Sequence, residues 1–162
     1  GVGEIAIRGQ CLYLRFMDSV DRTVDGYYPT GDLGTVVNSQ LVITGRKKDM
    51  LIINGKNIYP EDVEFVCMQT PGVYPGRVVC FGIPDETDST ELMVVLVEPR
   101  NGAAAEGVAD SVAESVVAEV GIAPSRIGVV EHMTLVKTSS GKMSRSRNRE
   151  LFLAGSLKLI NS

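Results

Sequence analysis

The sequence predicts an α+β fold: a mixed domain over residues 48–162, preceded by a β-rich piece over residues 1–47. Three observations carry this reading. Two continuous apolar runs lie at 78–83 and 92–97, helical periods are confined to short stretches, and a charged break, Gly45-Arg46-Lys47-Lys48-Asp49, separates the two parts. Beyond the break the elements run strand, helix, strand, strand, helix, strand, helix, which is the order of a compact α+β domain.

Taken in order, Glu4-Ile5-Ala6-Ile7-Arg8 alternates polar and apolar residues, as a half-buried strand does. Gly26 to Gly34 (GYYPTGDLG) is dense in glycine and proline and reads as a structured loop. Thr35-Val36-Val37 and Leu41-Val42-Ile43 flank Asn38-Ser39-Gln40 as the arms of a hairpin. So short a β-rich piece buries little surface alone and is expected to pack on something outside this chain. The charged break reads as an interdomain linker or as a tight turn. Met50 to Ile53 follows as a strand. Pro60 before Glu61 and Asp62 marks a helix start, with Val63, Val66 and Cys67 as the buried stripe and Thr70-Pro71-Gly72 as the stop.

Val78–Ile83 and Leu92–Val97 suit strands buried on both faces, joined by a polar turn over 84–89. Glu106 to Val120 follows a helical period, with Val108, Val112, Val116, Val117 and Val120 on one face and Gly121 beyond the end. Ile127–Val136 returns to strand character, and Arg145–Leu153 reads as a short final helix.

Composition narrows the function classes. Apolar residues make up 44% and charged residues 22% of the 162, as in an ordinary globular protein. A net charge of -4 offers no general attraction to nucleic acid or anionic lipid. Cys11, Cys67 and Cys80 are widely spaced with only His132 for company, which argues against a structural zinc site and fits a reducing cytoplasm. No apolar stretch reaches the roughly eighteen residues that span a bilayer.

Three segments carry chemistry. In Tyr27-Tyr28-Pro29-Thr30-Gly31-Asp32-Leu33-Gly34, a carboxylate between glycines suits a ribose diol, though an Asp after Gly is also a common turn residue. In the second, Arg46 offers planar donors for phosphate or ribose oxygens, and Gly55 between Asn54 and Lys56 permits a sharp turn; a solvated charge run on a hairpin reads the same way. In Lys137-Thr138-Ser139-Ser140-Gly141-Lys142-Met143-Ser144-Arg145, a lysine beyond a Ser/Gly loop suits an ammonium aimed at developing phosphate charge. This is not a P-loop, which needs glycine at 136 and Ser or Thr at 143, where the chain has Val136 and Met143. Arg145, Arg147 and Arg149 spread around a helix without interleaved aromatics and read as a solvated face rather than a nucleic-acid surface.

In this order, and with GEIAIRG at residues 3–9, these segments resemble the closing motifs of the adenylate-forming superfamily: acyl-CoA synthetases, fatty acyl-AMP ligases, peptide-synthetase adenylation domains and luciferases. The likeness runs from GEIAIRG through YYPTGDLG and ITGRKKDMLIINGKNIYPEDVE to KTSSGKMSR. Within the superfamily, residues 55–62 look most like the fatty-acyl branch and its acyl-AMP ligases.

The resemblance implies a residue-by-residue assignment. Asp32 would bind the ribose hydroxyls of ATP, Tyr28 and Thr30 would help form the nucleotide pocket, and Arg46 would contact the nucleotide. Lys48 would be the hinge about which a small C-terminal domain, residues 48–162, rotates between two half-reactions; residues 1–47 would close the large N-terminal domain. Lys142 would bridge carboxylate and phosphate in the first half-reaction. Gly55 and Lys56 would face the thiol of coenzyme A, or of a carrier-protein phosphopantetheine, in the second. ATP would arrive with Mg2+ held mainly by the upstream domain. Many members have proline where this chain has Val136 and arginine where it has Lys56, departures that bear on the acceptor step and leave Lys142 untouched. The phosphate-binding Ser/Thr/Gly loop and acyl pocket lie upstream in the family, so this chain alone is expected to be inactive. The rival reading is a non-catalytic module for carrier-protein docking or regulation, which would need neither Asp32 nor Lys142.

Overall fold

The computed structural model describes residues 1–10, 23–85 and 90–161. The polar turn expected over 84–89 falls largely outside them. The chain divides into two compact units, Gly1–Met50 and Leu51–Ser162.

The first unit is an antiparallel sheet of β1 (Gly3–Ile7), β2 (Tyr28–Val37) and β3 (Gln40–Arg46), in that order. Asn38 and Ser39, with φ of 49° and 63°, make the two-residue turn joining β2 to β3, a left-handed pair matched to strand twist. β1 is a strand but not the half-buried one its alternation suggests: Ile5 is partly covered, whereas Ile7 is 44% exposed. The larger correction concerns GYYPTGDLG. Most of it is strand rather than loop, because Gly31, at φ +77°, lets the strand bow out and rejoin its neighbours. Two steps along β1, from Glu4 to Ala6, face four along β2, from Leu33 to Pro29. Gly34 closes the bulge where only glycine fits, since a Cβ there would lie 2.8 Å from the Val42 carbonyl oxygen and 2.9 Å from Ile5 Cδ1.

The second unit opens with a short hairpin, β4 (Leu51–Ile53) and β5 (Lys56–Ile58), turned by Asn54 and Gly55 at φ 49° and 73°. β5 was not expected, since only three residues pair and two of them, Lys56 and Asn57, are polar. α1 (Pro60–Gln69) starts at its proline and buries Val63 and Cys67. Then β6 (Val73–Pro84) and β7 (Glu91–Pro99) pair antiparallel, and β8 (Arg126–Val129) lies parallel to β7 after the crossover helix α2 (Ala105–Val120). α2 buries Val108, Val112 and Val116 at i,i+4 spacing; Val117, expected on that face, is 47% exposed. Gly121, at φ 75°, ends the helix.

The strand expected over 127–136 stops at Val129. Beyond it, the buried Glu98 carboxylate accepts hydrogen bonds from the Met133 and Leu135 amides at 2.9 and 2.8 Å, so a side chain satisfies donors that a ladder otherwise would. Met133 turns the chain there with φ 63°. The last helix, α3 (Arg145–Leu153), has the predicted bounds, and Ser144 caps it by accepting from the Arg147 amide.

β6 and β7 have core on both sides. Val78, Cys80, Val95 and Val97 face α1 and α2, while Val79, Phe81, Val94 and Leu96 face Phe152 of α3 and the returning Leu157 and Leu159. That return lies on the outer side of β8, where the Asn161 side chain accepts from the Val129 amide at 2.8 Å and donates to the Ile127 carbonyl at 2.9 Å.

Candidate active site

The bulge in β2 builds the first group of predicted residues into one place. Thr30 Oγ1 donates to the Ile5 carbonyl at 2.8 Å and accepts from the Asp32 amide at 3.1 Å, so the bowed residues are tied back to β1. Asp32 is the cross-strand partner of Arg46, and the guanidinium Nε stands 3.0 Å from the carboxylate. The Lys47 amide donates to the Gly31 carbonyl at 2.8 Å, and its ammonium donates to Glu4 at the same distance. A shallow recess of about 320 Å³ is lined by Thr30, Gly31, Arg46, Lys47 and Lys48. Tyr28 is half-buried at the start of the same strand, paired with Ile7. Arg46, Lys47 and Lys48 line the open concavity, with the Asp32 carboxylate paired to Arg46 and that of Glu4 to Lys47, a set suited to a polyhydroxylated, phosphorylated ligand. The charged break is a turn at 47–49, in which the Asp49 and Met50 amides both donate to the Arg46 carbonyl at 3.1 Å. Lys48 is exposed on it, just before the second unit begins.

Lys142, Gly55 and Lys56 belong to the second unit. The lysine loop is a small closed structure between paired Lys137 and Met143. The Thr138 amide donates to the Lys142 carbonyl at 2.7 Å, the Gly141 amide donates to the Thr138 carbonyl at 2.9 Å, and the Lys142 amide donates to Thr138 Oγ1 at 3.2 Å. Gly141 takes φ 82°, which the turn needs. Thr138 therefore holds both backbone groups of Lys142, while the side chain of Lys142 is exposed and has no partner among the described residues. The hairpin bearing Gly55 and Lys56 is fastened along β4: the Ile52 amide donates to Glu91 at 2.9 Å and the Asn54 amide to Thr90 Oγ1 at 3.2 Å. Beside its tip lies a recess of about 460 Å³ lined by residues including Asn54, Lys56, Glu91 and Ile122.

No family model matches the chain. It is 36% identical over 163 residues to a putative acyl-CoA synthetase of Caulobacter vibrioides, an alignment covering 96% of this chain and 28% of that protein. In structure it is similar to McyG A-PCP complexed with phenylalanyl-adenylate (TM-score 0.76, 26% identity, 96% of this chain and 25% of that one). It is also similar to a fatty acyl-adenylate ligase from work on the E. coli and L. pneumophila enzymes (TM-score 0.74, 28% identity, 96% and 28%). The chain corresponds to the C-terminal portion of adenylate-forming enzymes. The chain spans between 18% and 28% of the length of the curated relatives it matches, 28% for the Caulobacter protein.

What the sequence reading passed over is the foundation of the lysine loop. Asn148, fully buried on α3, accepts from the Val136 amide at 2.9 Å and donates to the Val136 and Ser144 carbonyls, both at 2.9 Å. Arg145 and Arg149 are not on a solvated face. Arg149 Nε donates to the Gly82 carbonyl of β6 at 2.9 Å. Arg145 grips Glu64 with Nε and Nη2 at 2.9 and 2.6 Å and reaches Glu61 with Nη1 at 2.7 Å. Burial alone would lower the pKa of that guanidinium, but hydrogen bonding and charge from Glu64, then Glu61, outweigh it and raise the value. Only Arg147 fits the solvated description, pairing in the open with Glu150. No local spacing links Arg145 to a partner 81 residues away, so no pattern in the sequence signals the contact.

Proposed function

We propose that this chain is the C-terminal part of an ATP-dependent ligase that activates a carboxylic acid, a fatty acid being the expected class. The acid is converted to acyl-AMP, and the acyl group then passes to coenzyme A or to the phosphopantetheine of a carrier protein in the cytoplasm. The observation that carries the reading is Lys142, an exposed ammonium without a partner among the described residues, on a loop whose backbone is fixed by Thr138.

In the first step a carboxylate oxygen of the acid attacks the α-phosphorus of ATP, the bond from that phosphorus to the bridging oxygen breaks, and pyrophosphate leaves. Negative charge grows on the non-bridging oxygens, and the Lys142 ammonium, touching carboxylate and phosphate together, offsets it. Asp32 holds the ribose hydroxyls as a hydrogen-bond acceptor, and Arg46, beside it, supplies donors to the nucleotide; Tyr28 and Thr30 complete the wall. In the second step the acceptor sulfur attacks the acyl carbon, AMP departs with the bonding electrons, and the thiol proton goes to solvent. Gly55 and Lys56 face that thiol. Lys48, in the turn just before the second unit, is the pivot on which residues 48–162 change orientation between the steps. Residues 1–47 are the end of the large domain, a reading supported by the apolar residues they leave uncovered, such as Val36 and Ile43.

Among the described residues no group of three or more His, Cys, Asp or Glu side chains is placed to hold a metal ion. Mg2+ would accompany ATP, held mainly by the upstream domain. The chain by itself, without the upstream walls, forms no acyl-adenylate.

The test is acid-dependent ATP–pyrophosphate exchange in the full-length enzyme that this reading requires. Lys142→Ala should lower it by about two to three orders of magnitude, since a transition-state contact of this kind is worth roughly 3–4 kcal/mol. Exchange in the variant at the wild-type rate would remove Lys142 from the mechanism.

A further inference from the structure

Lys142 is joined to the body of its unit on both sides: before the loop the buried Leu135 donates its amide to Glu98 at 2.8 Å, and after it α3 begins at Arg145. The internal bonds of the loop, from Thr138 and Asn148, set its shape. They do not set where that shape stands, because every partner they use lies within residues 136–148. Placement must come from contacts that leave the segment. Arg149 makes one, to Gly82. Arg145 makes the stronger one, at the first residue of α3, with three nitrogens on two carboxylates of α1.

We propose that Arg145 is a positioning residue for the adenylation step, its fork on Glu64 and Glu61 fixing the root of the lysine loop to α1 and so setting where the Lys142 ammonium stands. This inference rests on the reading of Lys142 as the catalytic lysine.

The geometry suits the task in three ways. First, the contact with Glu64 is two-pronged, and two parallel bonds fix orientation as well as distance. Second, the partner is itself immobilised: Glu64 Oε1 also accepts from the Cys80 amide at 2.9 Å, so α1, strand β6 and α3 meet at one carboxylate. Third, the pair is sheltered, with side-chain exposures of 22% for Arg145 and 14% for Glu64, so solvent competes little for either. Removing the guanidinium leaves Glu61 and Glu64, like charges one helical turn apart, facing the start of α3 without the group that bridges them, while Arg149 still ties the helix to β6. A loop displaced by about 1 Å is enough to cost on the order of 10²-fold in rate.

The experiment is a double-mutant cycle on ATP–pyrophosphate exchange in the full-length enzyme, using Lys142→Ala, Arg145→Ala and the pair, with thermal unfolding measured for each. Arg145→Ala should lower kcat by about 10- to 100-fold with KM for ATP changed less than about 3-fold. The pair should be no slower than Lys142→Ala alone, because a residue that acts only through Lys142 has nothing left to position. Arg145→Lys should stay at least about 10-fold impaired, since an ammonium keeps the charge and loses the fork. Losses that multiply in the double variant would overturn the proposal, as would an Arg145→Ala enzyme of normal kcat and lowered melting temperature, or full rescue by Arg145→Lys. If Arg145→Ala does not fold, Glu64→Gln takes its place in the cycle, where a loss that vanishes in the Lys142→Ala background supports the proposal and a multiplying one sinks it. Failure of the functional reading itself is separately visible, as wild-type exchange by Lys142→Ala alone.

Discussion

The two units spend their apolar residues in opposite ways. In the second, Val94, Val95, Leu96 and Val97 of β7 are all wholly buried, because helices cover one face of the sheet and α3 with the returning chain covers the other. In the first, strands of similar character leave Val36 68%, Leu41 57% and Ile43 64% exposed. A sheet without a covering layer has little hydrophobic stabilisation, so turn chemistry and backbone pairing set its shape. The candidate site residues follow the same division. Asp32 and Arg46 meet across a ladder in a half-open ion pair, whereas the root of the Lys142 loop is clamped by buried and sheltered groups.

The contrast breaks most visibly in the core. Leu96→Ala should destabilise the 162-residue chain by roughly 3–4 kcal/mol in urea unfolding, the cost of a lost side chain and the cavity it leaves. Asn148→Ala comes next, at roughly 2–3 kcal/mol by the same measurement, since the Val136 amide and two carbonyls lose a buried partner. Alkaline titration sharpens the comparison further. Burial, and then the Glu64 carboxylate, push the Cys67 thiol up from an ordinary 9.0 to about 12, and Cys80 moves in the same direction. Above pH 9 the unfolded chain has lost a thiol proton that the folded chain keeps. Stability should therefore be unaffected by these groups below pH 9 and fall by about 1.4 kcal/mol per pH unit per thiol from there towards pH 12. Replacing both with serine should flatten that limb. The smallest effect belongs to the first unit: Ile43→Ser should change the stability of the chain by less than about 0.5 kcal/mol. The same substitution in the full-length enzyme should cost several times more if the upstream domain covers that face, and an equal cost in both would argue that it stays open.

Much of this was legible in the sequence where the cause is local. Pro60 with its two acids started α1, Gly121 ended α2, and α3 has the bounds its composition predicts. Errors arose where a distant contact decides. Glycine and proline density made β2 read as a loop, because one residue at positive φ is invisible as a bulge until its neighbours are known. The segment after Val129 kept its apolar character yet left the sheet, for a reason that lies in Glu98 on another strand. In the candidate site, residues whose chemistry is intrinsic, such as Asp32 and Lys142, stood out by type and setting. Arg145 and Asn148 did not, since their partners are chosen by tertiary packing and an arginine on an amphipathic helix otherwise looks solvated.

The Asn161 amide on the outer side of β8 has one more consequence. A terminal strand in a sheet normally offers a row of unpaired amides and carbonyls, a template on which a second molecule can add. Here three of the outward-pointing groups are already taken, the Val129 amide and Ile127 carbonyl by Asn161 and the Val129 carbonyl by the Ile160 amide at 2.8 Å. A side chain stands in for the next strand without being one, and the sheet is closed to edge-to-edge growth on that border.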